Sequence, residues 1–211
     1  MHLNEIRNPE ERKAAQAELG RKLLHMMIGI SAILLLVYNI ITPWIIFGIF
    51  IACVVISLLS LRFRLPLVSF FLDNFERSKD KHQLPGKGII FAMAGSLLVI
   101  RLFPIDIALA SMVILTFADP VSYLVGKYLG KTPSILDERK NIEGNLAGFI
   151  LSSLFAMFFV APSLAIAGSL ISIMLFESLI IEIQRVQLDD NLIIPLAAGT
   201  TMLILFKIFF I

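Results

Sequence analysis

The sequence predicts an all-α bundle of about seven membrane-crossing helices, and three observations predict it. Hydrophobic residues make up 58% of the chain and mean hydropathy is +0.89, an apolar share above that of soluble domains. The apolar residues gather in runs near the ~20 residues that a helix needs to cross a bilayer. None of the runs shows the alternation of a barrel strand, and helices satisfy their own backbone groups in lipid. At 211 residues the chain fits one domain.

The runs cover residues 23–42, 43–60, 88–103, 105–126, 146–161, 163–181 and 192–211. A polar tail precedes the first, in which Asn8-Pro9-Glu10-Glu11 reads as the capped start of an amphipathic surface helix reaching Glu18. Because about twenty polar residues come before it, the first run is expected to stay as an anchor and not to act as a secretory signal. Pro43 and Trp44 open the second run, which also suits a membrane-surface helix. The third and fifth are short, consistent with little tilt, partial re-entry or burial among neighbours. The lone Cys53 lies inside a run and reads as a small apolar filler.

Basic residues set the orientation. All of the 18 Lys and Arg except Arg101 and Lys207 fall in the N-terminal tail or in the loops that share its side. The positive-inside rule therefore places the N-terminus in the cytosol and the C-terminus outside. The opposite side offers only tight turns at 39–43, 103–106 and 161–163, which argues against an extracellular receptor or adhesion role. With an odd number of spans, the first, third, fifth and seventh all begin at the cytosolic face. Their free N–H groups and positive dipole ends then point to one compartment, where an anion could be held.

Polar islands sit at that same face. Arg21, Lys22 and His25 open the first span; Lys87 and Gly88 open the third. Lys140, Glu143, Gly144 and Asn145 open the fifth, and Asp189, Asp190 and Asn191 open the seventh. The fourth and sixth arrive there carrying Asp119 and Glu177. Structural readings exist for several of these: basic flanks fix topology, Asn145 and Asp190-Asn191 suit helix caps, and Gly86 and Gly88 suit a turn. Asp119 resists such a reading. It lies about 21 Å along its helix at 1.5 Å per residue, where a carboxylate is costly, and Pro120 follows it.

Other chemistries fit poorly. Gly126-Lys127-Tyr128-Leu129-Gly130-Lys131-Thr132 has one residue too few between its glycines for a P-loop and follows an apolar helix where a strand is needed. His2, His25 and His82 have no metal-site spacing, and one cysteine rules against a structural zinc. No Gly-x-Ser-x-Gly elbow is present. Net charge is only +2, so nucleic acid is not an expected partner.

Four segments in order resemble the CTP-dependent lipid kinases, the group that includes dolichol kinase, phytol kinase and the CTP-using diacylglycerol kinase. Glu18-x-x-Arg21-Lys22-x-x-His25 is similar to the opening signature of that family. Asp119 to Gly130-Lys131 resembles its Gly-Asp-x-x-Ala-x-x-x-Gly-x-x-x-Gly-Lys stretch, with Ala118 in place of Gly and Ser122 in place of Ala. Lys140-x-x-Glu143-Gly144-x-x-Ala147-Gly148 resembles its Lys-Ser-x-Glu-Gly segment, with Asn141 for Ser. Asp190-Asn191-Leu192-x-Ile194-Pro195-Leu196 is similar to its Asp-Asn-x-x-Ile-Pro ending, and Glu177 stands where the family has a glutamate. The likeness runs from about Glu18 to Gly199.

The resemblance implies a multi-pass enzyme of the membrane (plasma membrane in a prokaryote, endoplasmic reticulum in a eukaryote). Residues 1–22 would form a cytosolic amphipathic segment and 23–211 the transmembrane catalytic domain. The γ-phosphate of CTP would pass to the hydroxyl of a polyprenol, dolichol or related lipid alcohol. Phosphoryl transfer asks mainly for positioning and charge neutralisation. Asp119, Glu177 and His25 are the catalytic candidates, and Asp119, Glu143 and Asp190 the candidate ligands of Mg²⁺. Arg21, Lys22, Lys87, Lys127 and Lys140, with Glu143, Gly144 and Asn191, are the candidate nucleotide contacts. Two alternatives stand beside this: a cytidylyltransferase that makes a CDP-lipid, and a non-catalytic transporter or scaffold. The absence of an internal repeat and the lack of polar residues in the outer half weigh against transport.

Overall fold

The computed structural model describes residues 9–75, 84–134, 140–178 and 189–210, with side chains at 14–74, 84–134, 140–174 and 189–209. Within them all regular structure is helical apart from an isolated bridge between Pro133 and Asn141. The helices are α1 (Pro9–Val37), α2 (Pro43–Ser60), α3 (Pro66–Phe75), α4 (Lys87–Leu102), α5 (Ile105–Leu129), α6 (Ile142–Ala156), α7 (Pro162–Ser178) and α8 (Asp190–Phe210). Four contain segments long and apolar enough to cross a membrane: Ala14–Val37 in α1, Pro43–Ser60, Ile105–Leu129 and Asp190–Phe209 in α8. α4, α6 and α7 are shorter, at 16, 15 and 17 residues. Regular structure in the described residues is thus helical apart from that bridge, and several of these helices suit an integral membrane protein.

Element boundaries follow local chemistry. α2 begins where Thr42 caps it, its Oγ1 accepting from the Ile45 N–H at 3.4 Å, with Pro43 in the first turn. Gly86 stands before α4 with φ at 76°, a left-handed conformation that glycine adopts freely. α6 stops at Ala156, five residues before the end of the apolar run. There Phe158 and Phe159 donate to the Phe155 and Ala156 carbonyls, a tightened last turn, and Pro162 restarts the chain as α7. α1 runs on as one helix from Pro9, because nothing between the charged stretch and the apolar run breaks it. α3, which the apolar runs did not announce, packs on α1 and leaves Leu67, Phe70 and Phe71 exposed.

α5 is the axis of the bundle. It is buried over most of its length and contacts α1, α4, α6, α7 and α8. Small residues let the neighbours approach, as packing between apolar helices requires. A Cβ at Gly144 would strike the Ser122 carbonyl, and one at Gly148 the Ala118 carbonyl and Ser122 Oγ. On another side Gly29 of α1 leaves room for Thr116. Two buried hydroxyls of α5 turn back to their own helix: Ser111 donates to the Ile107 carbonyl and Thr116 to that of Met112, both at 2.7 Å.

Candidate active site

Two helices carry the polar groups on single stripes. On α5 the residues Met112, Leu115, Thr116, Asp119, Tyr123 and Lys127 recur at three- and four-residue spacing, so they share one face. On α1 the same spacing aligns Ala15, Glu18, Lys22, His25, Gly29 and Ala32. The stripes meet where the Lys22 ammonium pairs with Asp119 Oδ2. Lys22 is only 9% exposed. Taking either partner away would leave a buried charge, which costs about 3–5 kcal/mol.

This pair is the wall between two cavities. Lys22 and Asp119 line both. The first cavity, about 210 Å³, has a polar end of Arg21, His25, Lys87, Asp189, Asp190 and Asn191. Its other end is formed by Ile28, Ala32, Ala92, Met93 and Met112 and is apolar save for Ser96 and Thr116. The second, about 460 Å³, is lined by Glu18, Tyr123, Lys127, Lys140, Asn141 and Asn145, among others.

At the polar end of the first cavity the starts of α4 and α8 come together. Asp189 accepts from the Asn191 N–H at 3.1 Å and from its side-chain amide at 2.9 Å, which caps α8. The Lys87 ammonium sits 3.9 Å from Asp189. Asp190, the first residue of α8, is within reach of the charges of Asp119, Lys140 and Lys22. Two buried atoms there lack any hydrogen-bond partner: Asp119 Oδ1 and His25 Nε2. The imidazole hydrogen-bonds the Leu115 backbone. Since a backbone carbonyl only accepts, that bond uses Nδ1–H and leaves the Nε2 lone pair open. Unsatisfied buried polar atoms are rare enough to call for a ligand or a catalytic role.

In the second cavity Lys127 donates to the Tyr123 hydroxyl at 3.1 Å and to the Ala15 carbonyl at 3.3 Å. Its ammonium lies 5.2 Å from the Tyr123 ring centre, and that of Lys22 lies 5.9 Å from the same ring. Asn141 donates to the Gly126 carbonyl at 2.9 Å and so fastens the start of α6 to the end of α5. Lys140 and Lys127 both line this cavity.

Most of the residues picked out by the sequence meet at these cavities: Arg21, Lys22, His25, Lys87, Asp119, Asp190 and Asn191 at the first, Lys127 and Lys140 at the second. Glu143 and Gly144 line neither cavity. Glu143 turns to Thr132, accepting from its N–H at 3.1 Å and its hydroxyl at 2.9 Å. Hydrogen bonds, first from its own backbone N–H and then from Thr132, hold its carboxyl below the ordinary range. Gly144 serves the α5–α6 contact. The side chain of Glu177 lies outside the described residues. Sequence reasoning passed over Tyr123, although its position four residues from both Asp119 and Lys127 puts all three on one helix face. It also passed over Asn141, Asn145 and Asp189 as site residues.

Among the described residues no group of three or more His, Cys, Asp or Glu side chains gathers as a metal site. The unpartnered Oδ1 of Asp119, with Asp190 nearby, fits a hard cation held by one or two carboxylates and by the phosphates it accompanies.

No family model matches the chain, and no solved structure matches it. It is similar to CTP-dependent diacylglycerol kinase 1 of Schizosaccharomyces pombe, with 30% identity over 124 residues. The match covers 53% of this chain and 57% of that relative, so the chain spans a little over half the length of the curated protein it matches. That likeness agrees with the order of the four motifs, and it supports the resemblance to the CTP-dependent lipid kinases.

Proposed function

We propose that this protein is a membrane-embedded lipid kinase that moves the γ-phosphate of CTP to the hydroxyl of a lipid alcohol, with diacylglycerol and polyprenols as the acceptor classes to try. The observation that carries the reading is the pair of cavities sharing the Lys22–Asp119 wall. The second cavity, with Lys127, Lys140 and the Tyr123 ring, suits a triphosphate and a base. The first, polar at one end and apolar at the other, suits an alcohol with a tail. CTP as donor is supported by the relative. In this reading seven helices cross the bilayer, α3 lies along its surface, the N-terminus and both polar mouths face the cytosol, and the C-terminus lies outside.

The chemistry would be direct. The alcohol oxygen bonds to the γ-phosphorus as the bond from phosphorus to the β–γ bridging oxygen breaks. CDP leaves with that oxygen. The hydroxyl proton passes to His25 Nε2, whose lone pair is open. Lys22, drawn from Asp119 toward the phosphate, neutralises charge on the transferred group, and Lys127 and Lys140 hold the nucleotide. A divalent cation such as Mg²⁺, when bound, would add positive charge to the phosphates, and Asp119 with Asp190 would hold it.

The test uses purified protein in lipid nanodiscs with a panel of lipid alcohols and CTP labelled either at the γ-phosphate or in the base. Label from the γ-phosphate alone should appear in the lipid. Base label in the lipid would instead make the protein a cytidylyltransferase, and label in neither lipid nor CDP would remove nucleotide chemistry altogether.

A further inference from the structure

We propose that the gap between α1 and α4 is a lateral channel for the acceptor tail, and that the small side chains Ala32, Ala92 and Ser96 set the width it admits. This rests on the kinase reading for the identity of the tail, and on the packing for everything else. α1 and α4 both line the first cavity, yet they scarcely touch: α1 packs on α5 and α3, and α4 on α8, α2 and α5. The opening between them therefore has α5 as its floor, and among the described residues none of α2, α3, α6 or α7 lines it. Ile28 and Ile89 stand at the two lips, 36% and 43% exposed. Such a side faces hydrocarbon in a chain that crosses a bilayer.

The ladder of residues along the gap gives it a direction. On α1 the lining runs from Arg21 to Ala32, and on α4 from Lys87 to Ser96. On α5, which runs the opposite way, it goes from Asp119 to Met112. At 1.5 Å per residue these distances are about 17, 14 and 11 Å, so three helices carry polarity and then apolarity along the same axis. A second feature points to a ligand. His25 Nε2, buried and unpartnered, belongs to this cavity one helical turn from Gly29. An apolar chain with a hydroxyl at its end meets both features: the tail lies against Ala32, Ala92 and Met112, and the hydroxyl donates to His25. A tail without a hydroxyl leaves that atom unsatisfied.

A long-chain alcohol bearing a photoactivated diazirine, illuminated with the full chain in nanodiscs and mapped by mass spectrometry, tests the channel without turnover. Label should fall on 28–32 and 89–96 and should be displaced by the unlabelled alcohol but not by its methyl ether. Displacement by both would mean that any membrane lipid fills the gap, and label elsewhere would mean that nothing enters there; either overturns the proposal. In parallel, Ala92→Phe should raise KM for the long-chain alcohol about tenfold or more with KM for CTP unchanged. Leu98→Phe, on an exposed part of α4 away from the cavity, should change neither. An unaltered alcohol KM in Ala92→Phe sinks the idea. If that variant does not fold, Ser96→Leu takes its place with the same split expected. Wild-type protein labelled in the gap but transferring no phosphate would end the kinase reading and keep the channel; active protein labelled elsewhere would do the reverse.

Discussion

α5 is closed on one side and open on the other. Toward α6, glycines 126, 144 and 148 bring two backbones together, and Asn141 ties the junction. Toward α1 and α4 it borders a cavity, and the helices that flank that cavity barely meet. The difference teaches how one helix can offer a fixed platform for a polar cofactor-like substrate and still admit a bulky greasy one. On the proposed reading, the close packing lies beside the cavity assigned to the phosphates and the gap lies beside the one assigned to the tail.

Several substitutions would break or sharpen this contrast. The largest effect should come from the boundary itself. Asp119→Asn keeps the size of the side chain and removes its charge, and transfer should fall about a thousandfold while the helical circular dichroism and membrane insertion are kept and Tm falls, because Lys22 is left a buried charge. Near-normal turnover would remove Asp119 from the chemistry. Next, Lys140→Glu places a negative charge at the opening of the second cavity and should weaken CTP binding by ten- to a hundredfold or about 1.4–2.7 kcal/mol, read by direct titration. An unchanged binding curve would move the nucleotide out of that cavity.

Gly148→Leu should strike the closed side. Its side chain would press on the Ala118 carbonyl and Ser122, so about 1–3 kcal/mol of stability should be lost, measured as a fall in Tm. Ala92→Val on the open side should shift Tm far less, and equal shifts would erase the distinction drawn between the two sides. The smallest effect belongs to Glu143→Gln, which touches neither cavity and should alter activity by no more than about twofold. The tie to Thr132 should also depend on acid. With its folded pKa held below the ordinary 4.5, Glu143 contributes above that value and loses its contribution as pH falls through the lowered one. Protection of the Thr132 amide, taken relative to its intrinsic exchange rate at each pH, should therefore hold at neutral pH and fall only in acid.

Much of the architecture was legible because bilayer physics writes it into composition. The predicted span 43–60 coincides with α2, since Thr42 and Pro43 mark its start in chemistry as well as in hydropathy. Asp119 announced itself by being expensive where it stood. Glu143 shows the limit: the sequence offers it as a helper to Asp119, but side-chain direction depends on the loop that contains Thr132, and spacing along the chain does not encode that. Tyr123 and Asn145 were missed for the opposite reason, since an aromatic or amide near a helix end has many ordinary uses. The shortening of α6 was hidden because the residues after Ala156 are as apolar as those before it, so hydropathy continues where hydrogen bonding turns.

The wall of Lys22 and Asp119 is only one ammonium and one carboxylate thick. On the proposed reading, compartments divided by such a thin screen need no relay, because donor and receiver would both lie beside the same two groups. Shifting that single contact would let the cargo change owner without crossing open water.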